Sequence, residues 1–435
     1  LILGETLQQP PIIIGVFIAV FVATYVLLFT EKINKTLAAL LGAVIATSLG
    51  EILGIFSYET LAGFLDLETI IILIGMFILT GAAESVGIYH FLAIKVAKAS
   101  KGDSFRLFLA LSFLTVLLSS IISNIVAMMI IGSLTMKITK DLTLDPKPFL
   151  IIECILANIG GIVFLVSSVP NIMVGTFAEI NFLDFLLISS PLSLILLGIT
   201  ILFFKRFFKV NQIDGNISSL ESFDEWSHIK NKRKFYRSVA IMVTVLIAFA
   251  IGDTLGLGLP IIAITGSVFM LLVTGFKVED ALRNVGWSTI FFIMGLFVIV
   301  GALNEIGVLN MLAELFTSGT GGNVPFSILL ILWLSGLFSA FVVDIPATAV
   351  LIPVVQGVIA QLGSGSYLLW WALIFGIALG ANYFPFSSSS TIIGLKILQK
   401  RKRVSTREYS KIGAIVCTIQ LIVASLYLMG LYLLG

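Results

Sequence analysis

Runs of roughly 20 apolar residues, the length of a bilayer-crossing helix, recur along this chain with only short polar gaps between them. In hydrocarbon each backbone N–H and C=O must be satisfied inside the protein, so only helices and closed barrels cross a membrane. A barrel strand would alternate polar and apolar residues, and these runs do not. The composition agrees: of 435 residues 58% are hydrophobic and 11% charged, with mean hydropathy +1.12, whereas a soluble globule carries about 25% charged residues. The chain therefore reads as an all-α polytopic membrane protein embedded in a lipid bilayer. Its N-terminal LILGETLQQPPIIIGVF has neither a basic n-region nor a small-residue cleavage site, so the first span is expected to be retained. Cys154 and Cys417 fall within predicted spans and imply neither a disulfide framework nor a metal site.

Spans are predicted near 11–30, 36–55, 69–94, 148–178, 182–204, 238–255, 257–275, 288–312, 367–395 and 412–434. Two further apolar segments, 106–136 and 326–358, are too long for one crossing and marginal for two. Each has a polar break at its middle, Ser123-Asn124 in one and Asp344 in the other. Re-entrant hairpins, or two short spans, would explain both. With this map all 26 Lys and Arg fall on one face, so the positive-inside rule places both termini outside. A prokaryotic plasma membrane is the expected location.

The only long polar segment, 206–236, divides the chain into halves, 1–205 and 237–435. The halves are related. ETIIILIGMFILTGAAESVGIYHFLA (68–93) aligns without gaps to STIFFIMGLFVIVGALNEIGVLNMLA (288–313) with 9 of 26 positions identical, including Gly75/Gly295, Gly81/Gly301 and Gly87/Gly307. At the same offset of 220, Asn124 meets Asp344, Gly160 meets Gly380, and Ser167-Ser168 meets Ser387-Ser388. The charge map runs the two aligned spans in opposite directions. The expected architecture is an inverted-topology repeat of about ten spanning helices, with two re-entrant hairpins and two broken helices, 148–178 and 367–395.

Two similar halves of opposite orientation suit a secondary transporter, which needs two conformations of similar energy. Discontinuous helices supply its site. In NIGGIVFLVSSVPNIMVG (158–175) and ALGANYFPFSSSSTIIG (378–394), Gly and Pro free backbone carbonyls, and serines stand where a half-helix would begin. Carbonyls and hydroxyls can hold a dehydrated Na⁺; helix N-termini can hold an anion. The candidate site residues are Ser123, Asn124, Asp344, Thr348, Ser167, Ser168, Asn171, Asn382, Ser387, Ser388 and Ser389. Serines that only back-bond to their own helix are the structural alternative. Asp344 stands out, because an ionised carboxylate near the bilayer centre costs at least about 2.5–3.5 kcal/mol unless paired, hydrated or protonated. No Lys or Arg is expected at its depth, leaving a cation or a proton as partner, or a capping role for a neutral acid. Asp344 and Glu153 are both proton-relay candidates, and Glu153 could equally be a buried acid bonded to a neighbouring helix. His90 and His228 are expected at the inner boundary, away from any intramembrane chemistry.

These segments resemble the ArsB/NhaD branch of the ion transporter superfamily, which includes Na⁺/H⁺ antiporters, arsenite permeases and the melanosomal P protein. KTLAALLGAVIA (35–46), LETIIILIGMFIL (67–79), IIECILANIGG (151–161), VPNIMVG (169–175) and DIPATAVLIP (344–353) carry the likeness. The resemblance implies a scaffold of outer spans, a homodimer, and a moving unit of hairpins and broken helices. The substrate motifs depart from it. Ser123 and Val343 stand where the two hairpins usually have Asp, Asp344 where Asn is usual, and Ser168 where the first break usually has Asp. The expectation is a transporter coupling a small inorganic ion to Na⁺ or H⁺, with Na⁺/H⁺ exchange first and efflux of arsenite or another oxyanion as the alternative. A channel or an intramembrane enzyme fits less well. No cofactor beyond a possible bound Na⁺ and no nucleic-acid partner is expected.

Overall fold

The computed structural model describes residues 10–30, 32–100, 103–208, 224–227, 229–363 and 365–434. Residues 1–9, His228 and most of the 206–236 linker lie outside the described residues.

Among the described residues the chain forms twenty α-helices. The first ten are α1 (Pro11–Thr30), α2 (Lys35–Ile52), α3 (Tyr58–Phe64), α4 (Leu67–Ser85), α5 (Ile88–Lys98), α6 (Ser104–Ile121), α7 (Asn124–Asp141), α8 (Pro146–Gly160), α9 (Val169–Phe177) and α10 (Phe182–Phe208). The second ten are α11 (Lys232–Gly252), α12 (Leu259–Thr274), α13 (Val278–Asn284), α14 (Trp287–Glu305), α15 (Val308–Thr320), α16 (Val324–Val342), α17 (Asp344–Leu362), α18 (Leu368–Gly380), α19 (Ser389–Gln399) and α20 (Thr406–Leu434). Local chemistry sets many of the starts. Asn34, Asp66, Asp103, Asp145, Asn231 and Asn323 accept first-turn N–H groups with their side chains, and Pro occupies the first turn of α8, α9, α12 and α16, where its missing N–H costs nothing.

Among the described residues nine helices are long and apolar enough to cross a membrane, and both arms of the second hairpin, α16 and α17, are among them. The hairpins are longer than expected. Their arms run over 104–141 and 324–362, because ends carrying Arg106, Lys137, Lys140 and Gln361 are too polar for a hydropathy boundary yet remain helical. The spans expected at 69–94 and 288–312 are each two helices. Gly87 and Gly307 take φ of 86° and 79°, a left-handed conformation that ends α4 and α14 while hydropathy stays high.

Starts of corresponding helices recur 220 positions apart: Leu67 and Trp287, Ile88 and Val308, Asn124 and Asp344, Val169 and Ser389. Packing follows the same correspondence. α4 lies on α12, and α14 lies on α2. A Cβ on Gly75 would stand 2.8 Å from the Ala263 carbonyl carbon, and one on Gly295 would stand 2.9 Å from that of Ala39. Both glycines let two helices approach to backbone contact.

The two hairpins pack on the broken helices, α6 on α8 and α16 on α18. Every residue of α8 except Lys147 is buried, and α18 is nearly as enclosed. The outer helices instead present apolar side chains outward, such as Val22 and Val26 on α1 and Val243, Ile247 and Ile251 on α11, which suits a lipid-facing surface.

Candidate functional site

At the tip of the second hairpin the chain turns on one residue, Val343, with φ 69° and ψ 151°. That region is nearly exclusive to glycine, so a β-branched residue there is strained. The turn sets Asp344 as the first residue of α17, with its Oδ1 accepting the Ile345 N–H at 2.9 Å. Thr348 donates to the Asp344 carbonyl at 2.8 Å, and Tyr25 donates to that of Pro346 at 2.8 Å.

Asp344 faces a cavity of about 660 Å³ whose walls include Lys35, Thr36, Ser288, Thr289, Phe386 and Ser389. These residues share a feature. Lys35-Thr36, Ser288-Thr289, Asp344 and Ser389 are first-turn residues of α2, α14, α17 and α19, so four helix N-termini converge on one space. Each presents the positive end of a helix dipole. The Thr36 hydroxyl donates to the Ser288 carbonyl at 2.8 Å and ties two of these ends together. The expectation that no basic residue stands near Asp344 is overturned: Lys35 lines the same cavity. Its place in the charge map was that of a boundary residue, but the short α1–α2 connection brings it to the hairpin tip.

The first hairpin tip lies at a different cavity, of about 470 Å³, where Ser123 joins Thr80, Glu84, Ser85, Tyr89 and Asn284. Asn124 begins α7 and lies against Gly161, where a Cβ would stand 2.9 Å from Asn124 Nδ2. Its Oδ1 is buried without a hydrogen-bond partner.

Both broken helices break where glycine and proline foretell, at 161–168 and 381–388. Their serines do not cap, since neither Ser168 nor Ser388 makes a side-chain cap bond. Within the first break Ser167 and Asn171 both donate to the Gly161 carbonyl at 2.6 Å and hold the unwound turn closed. Around the second, Ser387 donates to the Ala340 carbonyl on the hairpin arm, while Ser388 and Ser390 donate to Asn158 Oδ1 at 2.9 and 3.3 Å. A buried amide chain continues from there: Asn158 to Asn382 at 2.8 Å, Asn382 to Gln420 at 2.9 Å, and Gln420 to Thr200 at 3.0 Å. Thr200 and Gln420 are themselves 220 positions apart.

Of the residues singled out from sequence, Asp344 and Ser389 line the main cavity. Ser123 lines the other. Thr348, Ser167, Asn171, Asn382, Ser387 and Ser388 brace the breaks and the hairpin. Glu153 is fully buried in α8, its Oε1 accepting from Thr135 at 2.5 Å. Lys35, Thr36, Ser288, Thr289, Asn158 and Gln420 were not foreseen. A search for polar pairs at the offset of 220 would have flagged Thr200 and Gln420; nothing in the sequence marks Lys35 as more than a loop-end lysine.

The profile of the CitMHS citrate transporter family matches residues 25–376. Among curated proteins, an uncharacterized transporter of Mycobacterium bovis is 31% identical over 406 residues, covering 92% of this chain and 94% of that one. An uncharacterized transporter of Synechocystis is 28% identical over 432 residues, covering 92% and 93%. The magnetosome protein MamN of Magnetospirillum gryphiswaldense is 27% identical over 349 residues, 79% of each chain. Among solved structures, the YdaH transporter of Alcanivorax borkumensis superposes with a TM-score of 0.64 at 14% identity, covering 91% of this chain and 98% of that one, a likeness of fold. These likenesses support a transporter of the ion transporter superfamily without singling out the ArsB/NhaD branch. A membrane transporter by its relatives and its fold, the chain belongs to the CitMHS citrate transporter family.

Proposed function

We propose that this protein is a secondary transporter of citrate, taking the anion into the cavity at the tip of the second hairpin and coupling its passage to a cation or proton on Asp344. One observation carries the reading: Lys35 and four helix N-termini share the cavity with Asp344. A tricarboxylate needs several positive groups at once. A lysine ammonium and four dipole ends, each worth roughly 0.3–1 kcal/mol at an exposed site, supply them without a dedicated arginine clamp. The family description supports citrate as the species. Asp344 would repel the bare anion, so a proton or metal cation at that carboxylate completes the charge balance.

The two halves, in this reading, form an inverted repeat, with the hairpins and broken helices moving against the outer helices. Na⁺/H⁺ exchange is the second reading, favoured by Asp344 being the one acid among the described residues lining the main cavity. An acid without a basic neighbour would favour it further, but Lys35 lines the same cavity as Asp344. Efflux of arsenite would also use helix N-termini, but a small neutral hydroxide carries no charge for the Lys35 ammonium to attract.

The test is purified protein in proteoliposomes, loaded with unlabelled citrate and given labelled citrate outside, with internal pH followed in parallel. Citrate counterflow is expected, and arsenite and phosphate should compete poorly. Proton movement on adding Na⁺ with no citrate counterflow would replace this reading by cation exchange.

A further inference from the structure

We infer that Glu153 carries the coupling proton of the transport cycle, which leaves the Asp344 carboxylate to a companion cation, an assignment that rests on the transport reading above. The proton enters from water on one side, bonds to Glu153 Oε2, and leaves to water on the other. Its release breaks the O–H bond just formed and regenerates the carboxylate, with no other bond changed.

Glu153 lies in mid-α8 with none of its surface exposed. Its Oε1 accepts the Thr135 hydroxyl of α7 at 2.5 Å, while Oε2 is buried with no hydrogen-bond partner. Among the described residues it forms no ion pair. An ionised carboxylate so placed leaves a charged oxygen with neither donor nor countercharge, among the costliest of buried states. A neutral carboxyl removes that charge. An acid whose charged form is opposed in one conformation, and hydrated in another, is what a proton-coupled carrier requires of an intramembrane residue.

The surroundings place this acid where a proton can act on the site. α8 packs against α6, α7, α10, α18 and α19. Charged residues of α6 and α10, namely Arg106, Asp184, Lys205 and Arg206, sit at the helix ends and are exposed, and α18 has none. From α19, Thr391 takes a 3.9 Å contact at its carbonyl from Cys154 and lies 3.5 Å from the Tyr409 hydroxyl of α20. From α7, Thr139 donates to the Thr135 carbonyl at 2.7 Å and accepts from Arg401 at 3.5 Å, so two threonines lie between Glu153 and the basic end of α7. In the other direction, α8 leads from Glu153 to Asn158, which takes hydrogen bonds from Ser388 and Ser390 at the start of α19. Ser389, between them, lines the main cavity. Charge on Glu153 and the position of one cavity-lining helix end thus act through the same helix pair.

The test compares wild type with Glu153→Gln in proteoliposomes. At equal pH on both sides, citrate counterflow should stay within about twofold of wild type, while accumulation driven by a pH gradient should fall at least about tenfold. Accumulation at the wild-type level overturns the assignment. So does loss of counterflow and accumulation together with unchanged thermal unfolding, which makes Glu153 a residue of substrate binding or translocation rather than of coupling. Should Glu153→Gln not fold, Thr135→Val keeps the acid and removes its donor; the pH midpoint of accumulation should move by about one unit, and an unmoved midpoint overturns the assignment. A third measurement needs no citrate: infrared spectra of the purified protein across about pH 5 to 9 should contain a carboxylic C=O band that Glu153→Gln lacks. If wild type shows no citrate counterflow, the transport reading fails, and the infrared band decides separately whether Glu153 exchanges a proton.

Discussion

Lys35 and Asp344 face one cavity with opposite charges, and the account asks different work of each. The ammonium binds the anion, so Lys35→Met should weaken citrate binding about tenfold, ~1.4 kcal/mol, in a titration of the detergent-solubilised protein. Asp344 belongs to coupling, so Asp344→Asn should fold normally and lose gradient-driven accumulation. Wild-type transport in that variant would leave Asp344 only the helix-starting bond it makes to the Ile345 N–H. Val343 holds the turn between α16 and α17, just before Asp344, in a conformation built for glycine. Such strain costs about 1–3 kcal/mol, and glycine loses about 0.5–1 kcal/mol of chain entropy on ordering. Val343→Gly should therefore raise the unfolding temperature slightly, and slower transport in the same variant would mark the strain as useful to the tip.

At the scale of elements, the amide chain from Asn158 through Asn382 and Gln420 to Thr200 joins both broken helices to α10 and α20. All four residues are buried, so removing one strands its neighbours. Gln420→Leu should cost about 1–3 kcal/mol and lower the unfolding temperature, an effect that Thr200→Val would share only in part. Close helix pairs give a second prediction. Gly75→Leu and Gly295→Leu drive side chains into the backbones at Ala263 and Ala39, and both should reduce the yield of folded protein alike. Much of this scale was legible. Breaks at Gly160-Gly161 and Gly380 and polar hairpin turns at Ser123-Asn124 and Asp344 stand out in the sequence. Two features were hidden: the splits at Gly87 and Gly307, which change backbone handedness without changing hydropathy, and the serine partners, which depend on helices far away in sequence.

The whole molecule is arranged so that each half completes the other, α4 against α12 and α14 against α2. An alignment of the two halves could find the correspondence but not the crossing, because sequence offset carries no distance. Lys35 shows the consequence. It lies more than 300 residues from Asp344, and only the packed fold brings the two to one cavity. The basic end of the molecule is also tied across the halves, by Lys402 with Asp145 and Lys147 with Glu408. Partial burial pushes the Asp145 carboxyl up, but the Lys402 hydrogen bond, the Lys147 N–H and both ammonium charges together hold it below the usual aspartate range. With its folded value depressed, the stabilisation is present above the ordinary aspartate range and is lost as pH falls through the lower one. Both side chains are more than a third exposed, which limits the pair to about 0–1 kcal/mol. The gap in unfolding temperature between wild type and Asp145→Asn should accordingly hold from about pH 7 down to about pH 4 and close only below it.

Whether citrate enters the cavity at the second hairpin tip is the claim on which the rest depends, and Ser389 offers direct access to it. Ser389 is exposed on the cavity wall, whereas both native cysteines are buried, so a Ser389→Cys protein presents one reactive thiol there. The rate at which a hydrophilic maleimide modifies that thiol should fall at least about tenfold in saturating citrate and stay unchanged in arsenite. A rate indifferent to citrate but slowed by Na⁺ would contradict the account and give the cavity to a cation instead.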